Sequence, residues 1–312
     1  MAEEINIVFA CDNNYIQHAA VAMMSIAKNT SPNNVLVFYL LCDNVSDESK
    51  ERVRATFTKT QVKVNFIDAD IAKLENIFVS GTLSRAAYLR LLMAELLPET
   101  VNKAIYFDCD LLVLKDIVQL WQVDLAGKPL AAVADYGIMA SHKDWRRKQK
   151  KLGFQATDMY FNSGVLVVDV AAWRANDYDT KIITLAKNNA YQHHDQDALN
   201  VMFYQNWQEI PLKWNVIPPV WNLFAKVLFR SDLRQSAIAA RKNIAVLHYA
   251  GGYKPWEYKE IDGFNDAYYH YFRQTAFADE PMPQPNKRRK GRSIRRQMMR
   301  LKLADFWQKV FA

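Results

Sequence analysis

Lys103-Ala104-Ile105-Tyr106-Phe107-Asp108-Cys109-Asp110-Leu111-Leu112-Val113 puts two carboxylates, two residues apart, at the end of an apolar run with strand character. Side chains two apart in an extended chain share a side, so Asp108 and Asp110 aim one way and Cys109 the other. Two convergent carboxylates repel unless a cation neutralises them. The competing reading is a strand end with one solvated Asp and one capping Asp. The triplet alone does not separate the two, because such triplets are common by chance.

Runs of the same kind flank this one. Residues 5–10, 35–41, 62–67, 104–107 and 130–133 read as near-continuous apolar strands. Between them, residues 16–27 lay Ala20, Met23, Met24 and Ala27 along one helical face, and Ser46-Asp47 opens a helix that buries Val53 and Phe57. Apolar strands spaced by helices predict an α/β fold with a mainly parallel, Rossmann-like sheet covered on both faces. Ligands of such sheets bind beyond the carboxyl ends of the strands. Those ends carry Asp12-Asn13-Asn14-Tyr15, Asp108-Cys109-Asp110 and Asp135. Each alone is an ordinary turn residue. Together they are what a diphosphate and divalent metal site needs.

The 312 residues, half of them hydrophobic, suffice for one large domain with a small extension. The opening residues lack the order of a signal peptide, and no apolar run approaches the roughly 20 residues that span a bilayer. The expectation is a cytoplasmic protein at the inner face of the cell membrane, with any membrane contact peripheral. Cys11, Cys42 and Cys109 are odd in number and without metal-ligand spacing, so they read as reduced thiols in packed sites.

The net charge of +7 is unevenly held. Residues 287–312 contain ten Lys or Arg against the single Asp305, which leaves 30 basic and 32 acidic residues before them. The expected organisation is a catalytic domain over 1–278, a Pro-rich linker over 279–286 and a basic amphipathic segment over 287–312. In that segment Met299, Leu303, Phe306 and Val310 form one helical stripe, with Trp307 beside it and Lys302, Asp305 and Lys309 on the other side. A basic helix with such a stripe suits an anionic membrane surface. The alternative is a helix that packs its stripe back onto the domain.

Six segments carry a resemblance: 7–15, 87–91, 106–110, 160–166 (Tyr-Phe-Asn-Ser-Gly-Val-Leu), 194–200 (His-Asp-Gln-Asp-Ala-Leu-Asn) and 248–256 (His-Tyr-Ala-Gly-Gly-Tyr-Lys-Pro-Trp). In this order they resemble the retaining glycosyltransferases of family 8, especially bacterial α-galactosyltransferases and α-glucosyltransferases that extend lipopolysaccharide or lipooligosaccharide cores. The resemblance covers roughly residues 5–260 and implies a GT-A type nucleotide-diphospho-sugar transferase fold.

It also implies roles. Asp108, Asp110 and His248 would hold Mn²⁺, with Mg²⁺ the alternative, since an imidazole ligand suits manganese better. Gly251 and Lys254 would approach the phosphates. Ala10, Asp12, Asn14 and Tyr15 would embrace uracil and ribose, with Asn13 standing where relatives often have a second acid. Arg90, Asp135, Asn162, Asp195 and Gln196 would read the sugar, and of these Gln196, Asp195 and Asp135 would take part in catalysis. The implied donor is UDP-galactose first and UDP-glucose second, and the implied acceptor an oligosaccharide on a lipid. An amide at Gln196 is a poor nucleophile, which favours front-face attack over a covalent intermediate. Two other readings compete: a transferase that modifies adhesin proteins, and a nucleic-acid-binding protein suggested only by the basic tail. The tail carries no nucleic-acid motif and the main domain is slightly acidic, which speaks against the last.

Overall fold

The apolar run that opens the chain lies in the middle of a sheet. A computed structural model describes residues 3–58, 61–75, 77, 85–252, 254–257, 264–281 and 292–311. Within these residues the strands are β1 (Glu4–Asp12), β2 (Val35–Asp43), β3 (Val62–Asp68), β4 (Lys103–Phe107), β5 (Leu111–Val113), β6 (Leu130–Ala134), β7 (Phe161–Asp169), β8 (Gln208–Glu209) and β9 (Val246–His248). Seven of them form one sheet in the order β3-β2-β1-β4-β7-β6-β8, and β5 pairs with β9 apart from it. Only β7 runs against its neighbours in the large sheet, antiparallel to both β4 and β6. The remaining pairs are parallel. The expected mainly parallel α/β sheet is what forms.

Strand periodicity explains the two-sided core. Alternate residues of β1 point to opposite faces: Ile5, Ile7, Phe9 and Cys11 enter one apolar layer with the helix Ile16–Asn29, while Val8 and Ala10 enter the other. Phe9 meets Phe38 and Phe107 at ring-centroid distances of 6.2 and 6.1 Å, joining three adjacent strands. The helix Asp47–Thr56 begins where Ser46 accepts the Ser49 N–H, and it buries Val53. Asn13 Oδ1 accepts from the Ser46 N–H at 3.0 Å, which ties the first loop to the next helix. The three cysteines are buried free thiols, with Cys11 directly opposite Cys42 across β1 and β2.

The ladder between β6 and β7 is irregular. Between Ala132 and Val133 of β6, the partner on β7 jumps from Leu166 to Asn162. The bulge leaves Ser163 and Gly164 outside the β6 ladder at the carboxyl edge, where bulges re-aim side chains next to functional sites.

The tail helix Arg292–Phe311 packs on the helix Ser231–Lys242. Ala304 is buried, Trp307 is half-buried, and Arg241 pairs with Asp305 and Gln308. Met299, Leu303, Phe306 and Val310 stay exposed, at 45–57% of their full accessibility. The helix therefore docks through the face opposite the stripe. Residues 282–291, which include most of the expected linker and the start of the basic cluster, lie outside the described residues. Among those described, no helix is long and apolar enough to cross a membrane.

Candidate active site

Pairing between β5 and β9 brings together residues 138 positions apart. Leu111 stands opposite His248 in that antiparallel ladder, which sets the imidazole beside Asp110. His248 Nε2 lies 3.1 Å from Asp110 Oδ1 and 3.6 Å from Asp108 Oδ2. These three side chains are the one His/Cys/Asp/Glu group among the described residues whose ligand atoms converge closely enough for a metal, all within 4.8 Å.

The imidazole is oriented through its Nδ1. The Gly164 N–H donates to Asn162 Oδ1 at 3.0 Å, and Asn162 Nδ2 donates to Asp135 at 3.2 Å, which fixes the orientation of that amide. Asn215 Nδ2 also donates to Asn162 Oδ1, so Asn215 Oδ1 faces His248 Nδ1, 2.8 Å away. Nδ1 then carries a proton, which leaves Nε2 as the ring nitrogen that faces the two carboxylates. Two carboxylates and an imidazole nitrogen converging in this way fit a divalent cation.

Cationic side chains surround the cluster. Lys254 pairs with Asp110 and donates to the Tyr249 carbonyl at 2.8 Å. Burial opposes ionisation of Asp110, but Lys254 and His248 outweigh it and hold the carboxyl well below the usual range. Arg90 lies in a short 3-10 helix, Arg85–Leu92, and is buried rather than on a solvated face. Its guanidinium reaches Asp108 at 2.8 Å and Asp195 at 3.1 Å while lying over the Tyr106 ring. Burial would lower its pKa, yet the two carboxylates raise it.

Sugar-reading candidates converge next to this cluster. Asp135 caps the short helix Tyr136–Met139 through the Ile138 N–H, and its other oxygen accepts from Asn162 and from Gln196 Nε2 at 3.1 Å. Gln196 Oε1 accepts the Ser163 N–H at 3.2 Å, so both ends of that amide are engaged. Asp195 and Gln196 come from the first turn of the helix His194–Met202. Burial raises the Asp195 carboxyl despite Arg90 beside it.

The loop after β1 folds on itself. Asp12 Oδ1 accepts the N–H groups of Asn14 and Tyr15 at 2.9 and 3.0 Å, leaving Asn14 exposed and Tyr15 half-buried. Tyr15 meets Trp256 edge-on at 6.1 Å, and Trp256 stacks on His18 at 3.5 Å. Burial lowers the His18 imidazole to about 3, and its Nδ1 bonds the Tyr268 hydroxyl at 2.7 Å. Ala10 lies buried at the end of β1, its carbonyl taking the Cys109 S–H. Gly251 is exposed with φ +88°, a conformation that favours glycine. It makes no hydrogen bond to the cluster residues among those described.

Three further residues complete the arrangement: Asn215, Ser163 and Gly164. A Cβ on Gly164 would stand 2.7 Å from Asp108 Oδ2 and closer still to the His248 ring. Ser163 and Gly164 sit inside the segment 160–166 and were legible there. Asn215 follows no motif, and only the fold brings it to His248.

The sequence profile described as glycosyl transferase family 8 matches residues 6–260. General stress protein A of Bacillus subtilis (strain 168) is 31% identical over 280 residues, covering 88% of this chain and 94% of that protein. Lipopolysaccharide 1,2-glucosyltransferase of Escherichia coli (strain K12) is 28% identical over 262 residues, covering 82% and 73% respectively. Among solved structures, the galactosyltransferase LgtC in complex with donor and acceptor sugar analogs aligns with a TM-score of 0.75 at 25% identity, over 87% of this chain and 96% of that one. The sheet and its helices thus have the GT-A type fold of that neighbour. Since the matched span contains both carboxylates, the imidazole and the whole amide chain that orients it, this protein belongs to glycosyl transferase family 8.

Proposed function

We propose that the chain moves a hexose, galactose in the first place and glucose in the second, from a UDP-sugar to a lipopolysaccharide or lipooligosaccharide core, retaining the anomeric configuration. The observation that carries this reading is the convergence of His248 Nε2 on the carboxylates of Asp108 and Asp110, beside a buried set of amide, carboxylate and guanidinium groups. Asp108, Asp110 and His248 would hold Mn²⁺, with Mg²⁺ the alternative, and the ion would neutralise charge that builds on the departing diphosphate.

The chain's own residues divide the remaining work. Ala10, Asp12, Asn14 and Tyr15 bind the uracil and ribose, with Trp256 bracing the Tyr15 ring. Gly251 and Lys254 serve the phosphates, and Arg90, Asp135 and Asn162 read the sugar hydroxyls through directed hydrogen bonds. Gln196, with both amide ends engaged, is a poor nucleophile. The acceptor hydroxyl therefore attacks from the face that UDP leaves and passes its proton to the departing phosphate oxygen. Asp195 and Gln196 stabilise the positive charge that spreads over the anomeric carbon and ring oxygen. The exposed tail stripe and its basic neighbours support a peripheral site on an anionic membrane, where a lipid-linked acceptor is presented.

A panel of UDP-sugars assayed for hydrolysis with and without Mn²⁺ tests this reading. Metal-dependent turnover of UDP-galactose or UDP-glucose, abolished in Asp110→Ala, is expected. Absence of turnover with every UDP-hexose at saturating Mn²⁺ or Mg²⁺ would sink it.

A further inference from the structure

At the edge of the sheet that ends in β8, a cavity of about 340 Å³ opens between residues 157–159 and 205–209. Thr157, Asp158, Met159, Gln205, Trp207 and Glu209 line it. None of them belongs to the cluster around Asp108.

Its polar groups divide into committed and uncommitted ones. Asp158 is buried and spends both oxygens on its neighbours, one on Gln205 Nε2 at 2.9 Å and the other on the Tyr204 hydroxyl at 2.6 Å and the Gln155 N–H. Glu209 is exposed to solvent at the mouth of the cavity, and its side chain has no hydrogen-bond or ion-pair partner among the described residues. Trp207 is half-buried, held against the Phe161 ring at 5.1 Å and 61°, and its indole N–H likewise finds no protein acceptor among the described residues. The cavity therefore offers an indole surface, one uncommitted acceptor and one uncommitted donor.

That combination discriminates among ligands. A bare metal ion needs several oxygens, and those of Asp158 are already taken. A purely apolar molecule would seal the Glu209 carboxylate and the Trp207 N–H away from water without partners. A pyranose has C–H faces for the indole, hydroxyls that donate to a carboxylate and oxygens that accept from an indole N–H. The volume lies at the lower end of the ~300–1,000 Å³ typical of small-ligand pockets.

The position connects the cavity to the candidate active site. Glu209 stands opposite Ala132 of β6, three residues before Asp135, and Met159 lies three residues before Asn162. At ~3.3 Å per residue of extended chain, each wall reaches the sugar-reading residues within about 10 Å of strand.

We propose that this cavity is a second carbohydrate subsite, in which Trp207 and Glu209 hold a neutral sugar unit of the acceptor glycan beyond the one that receives the hexose. The role in transfer rests on the glycosyltransferase reading, whereas sugar binding at Trp207 does not.

Titration of ¹⁵N-labelled full-length protein with lactose and cellobiose, followed at the Trp207 indole signal, tests it. Trp207→Phe assigns that signal by removing it, and thermal unfolding checks that each variant folds. A saturable shift at millimolar disaccharide, lost in Glu209→Ala, is expected. In transfer to an acceptor of three or more sugars, Glu209→Ala should raise KM about fivefold, close to ~1 kcal/mol. UDP-sugar hydrolysis and transfer to a monosaccharide acceptor should stay unchanged. A Trp207 signal that never shifts, or an unaltered KM for the long acceptor, overturns the subsite. Shifts that occur in a protein unable to hydrolyse any UDP-sugar would overturn the transferase reading and its acceptor role while leaving the sugar-binding cavity in place.

Discussion

His248 ends an apolar strand, where a histidine is ordinarily a packed core residue. Asn215 alters that, since its Oδ1 holds a proton on Nδ1 and so turns Nε2 toward Asp108 and Asp110. Loss of an outer partner of this kind typically costs about 10–100-fold in metal affinity. Asn215→Ala should therefore weaken Mn²⁺ binding by about 10–100-fold in isothermal titration while the folded state persists. Equal affinities in variant and parent would show that the amide does not orient the ligand. Gly164 acts by taking no space: any side chain there meets Asp108 and His248. Displacements of ~1 Å at a reacting centre cost on the order of 100-fold, so Gly164→Ala should lower metal-dependent turnover at least that far. A variant that turns over like the parent, with a superimposable circular dichroism spectrum, would remove the close approach from the account.

The elements that carry these residues are positioned by buried polar contacts as much as by apolar packing. The helix His194–Met202 is pinned where Asp197 meets Lys148 and the Tyr160 hydroxyl, which holds Asp195 and Gln196 over the sheet edge. A weaker junction lies at the helix Tyr178–Asn188, whose Asp179 accepts the Glu95 N–H at 2.8 Å through one oxygen while the other has no hydrogen-bond partner among the described residues. Burial, only partly offset by that N–H, pushes its carboxyl up to about 7. The unfolded chain releases this proton near pH ~3.9. Between about pH 4 and 7 the folded state binds more protons than the unfolded one, so stability falls as pH rises through that window. The loss at pH 8 is on the order of 4 kcal/mol. Asp179→Asn keeps an acceptor for the Glu95 N–H and removes the charge. Urea midpoints should fall less between about pH 5 and pH 8 for Asp179→Asn than for the parent, and parallel profiles would rule out Asp179 as the cause.

At the scale of the whole molecule, charge and apolar surface are segregated. The positive excess lies in residues 287–312, and the tail helix keeps Met299, Leu303, Phe306 and Val310 exposed while its other face packs on the domain. Truncation after residue 286 would remove that docking contact together with the stripe. Leu303→Glu combined with Phe306→Glu changes only the exposed side and is the cleaner test. The double variant should keep its thermal midpoint and its UDP-sugar hydrolysis but no longer sediment with anionic vesicles, whereas the parent should bind them and release as salt rises. Parent protein that ignores anionic vesicles at low salt would end the membrane reading.

Sequence by itself determined that the sheet is mainly parallel and covered on both faces, because the apolar runs of β1 to β4 and β6 and the helices between them are written locally; the antiparallel β7 between β4 and β6, and the short β8 and β9, were placed only by the structure. It also pointed to Asp108 and Asp110 as a pair, although the expected extended triplet is not what forms: Cys109 and Asp110 make a turn between β4 and β5, and the two carboxylates converge across it with His248. Four more things needed the tertiary structure. His248 meets Asp110 through a β5–β9 register spanning 138 residues, and Asn215 meets His248 across a loop without a motif. Arg90 lies buried between Asp108 and Asp195, where a helical pattern alone allowed a solvated face. The tail stripe has the same spacing whether it faces the domain or the solvent; which face docks was decided by Arg241 meeting Asp305 and Gln308 and by Ala304 fitting against the domain. Periodicity reports which residues share a face, but the direction of that face depends on partners that the chain brings in from far along its length.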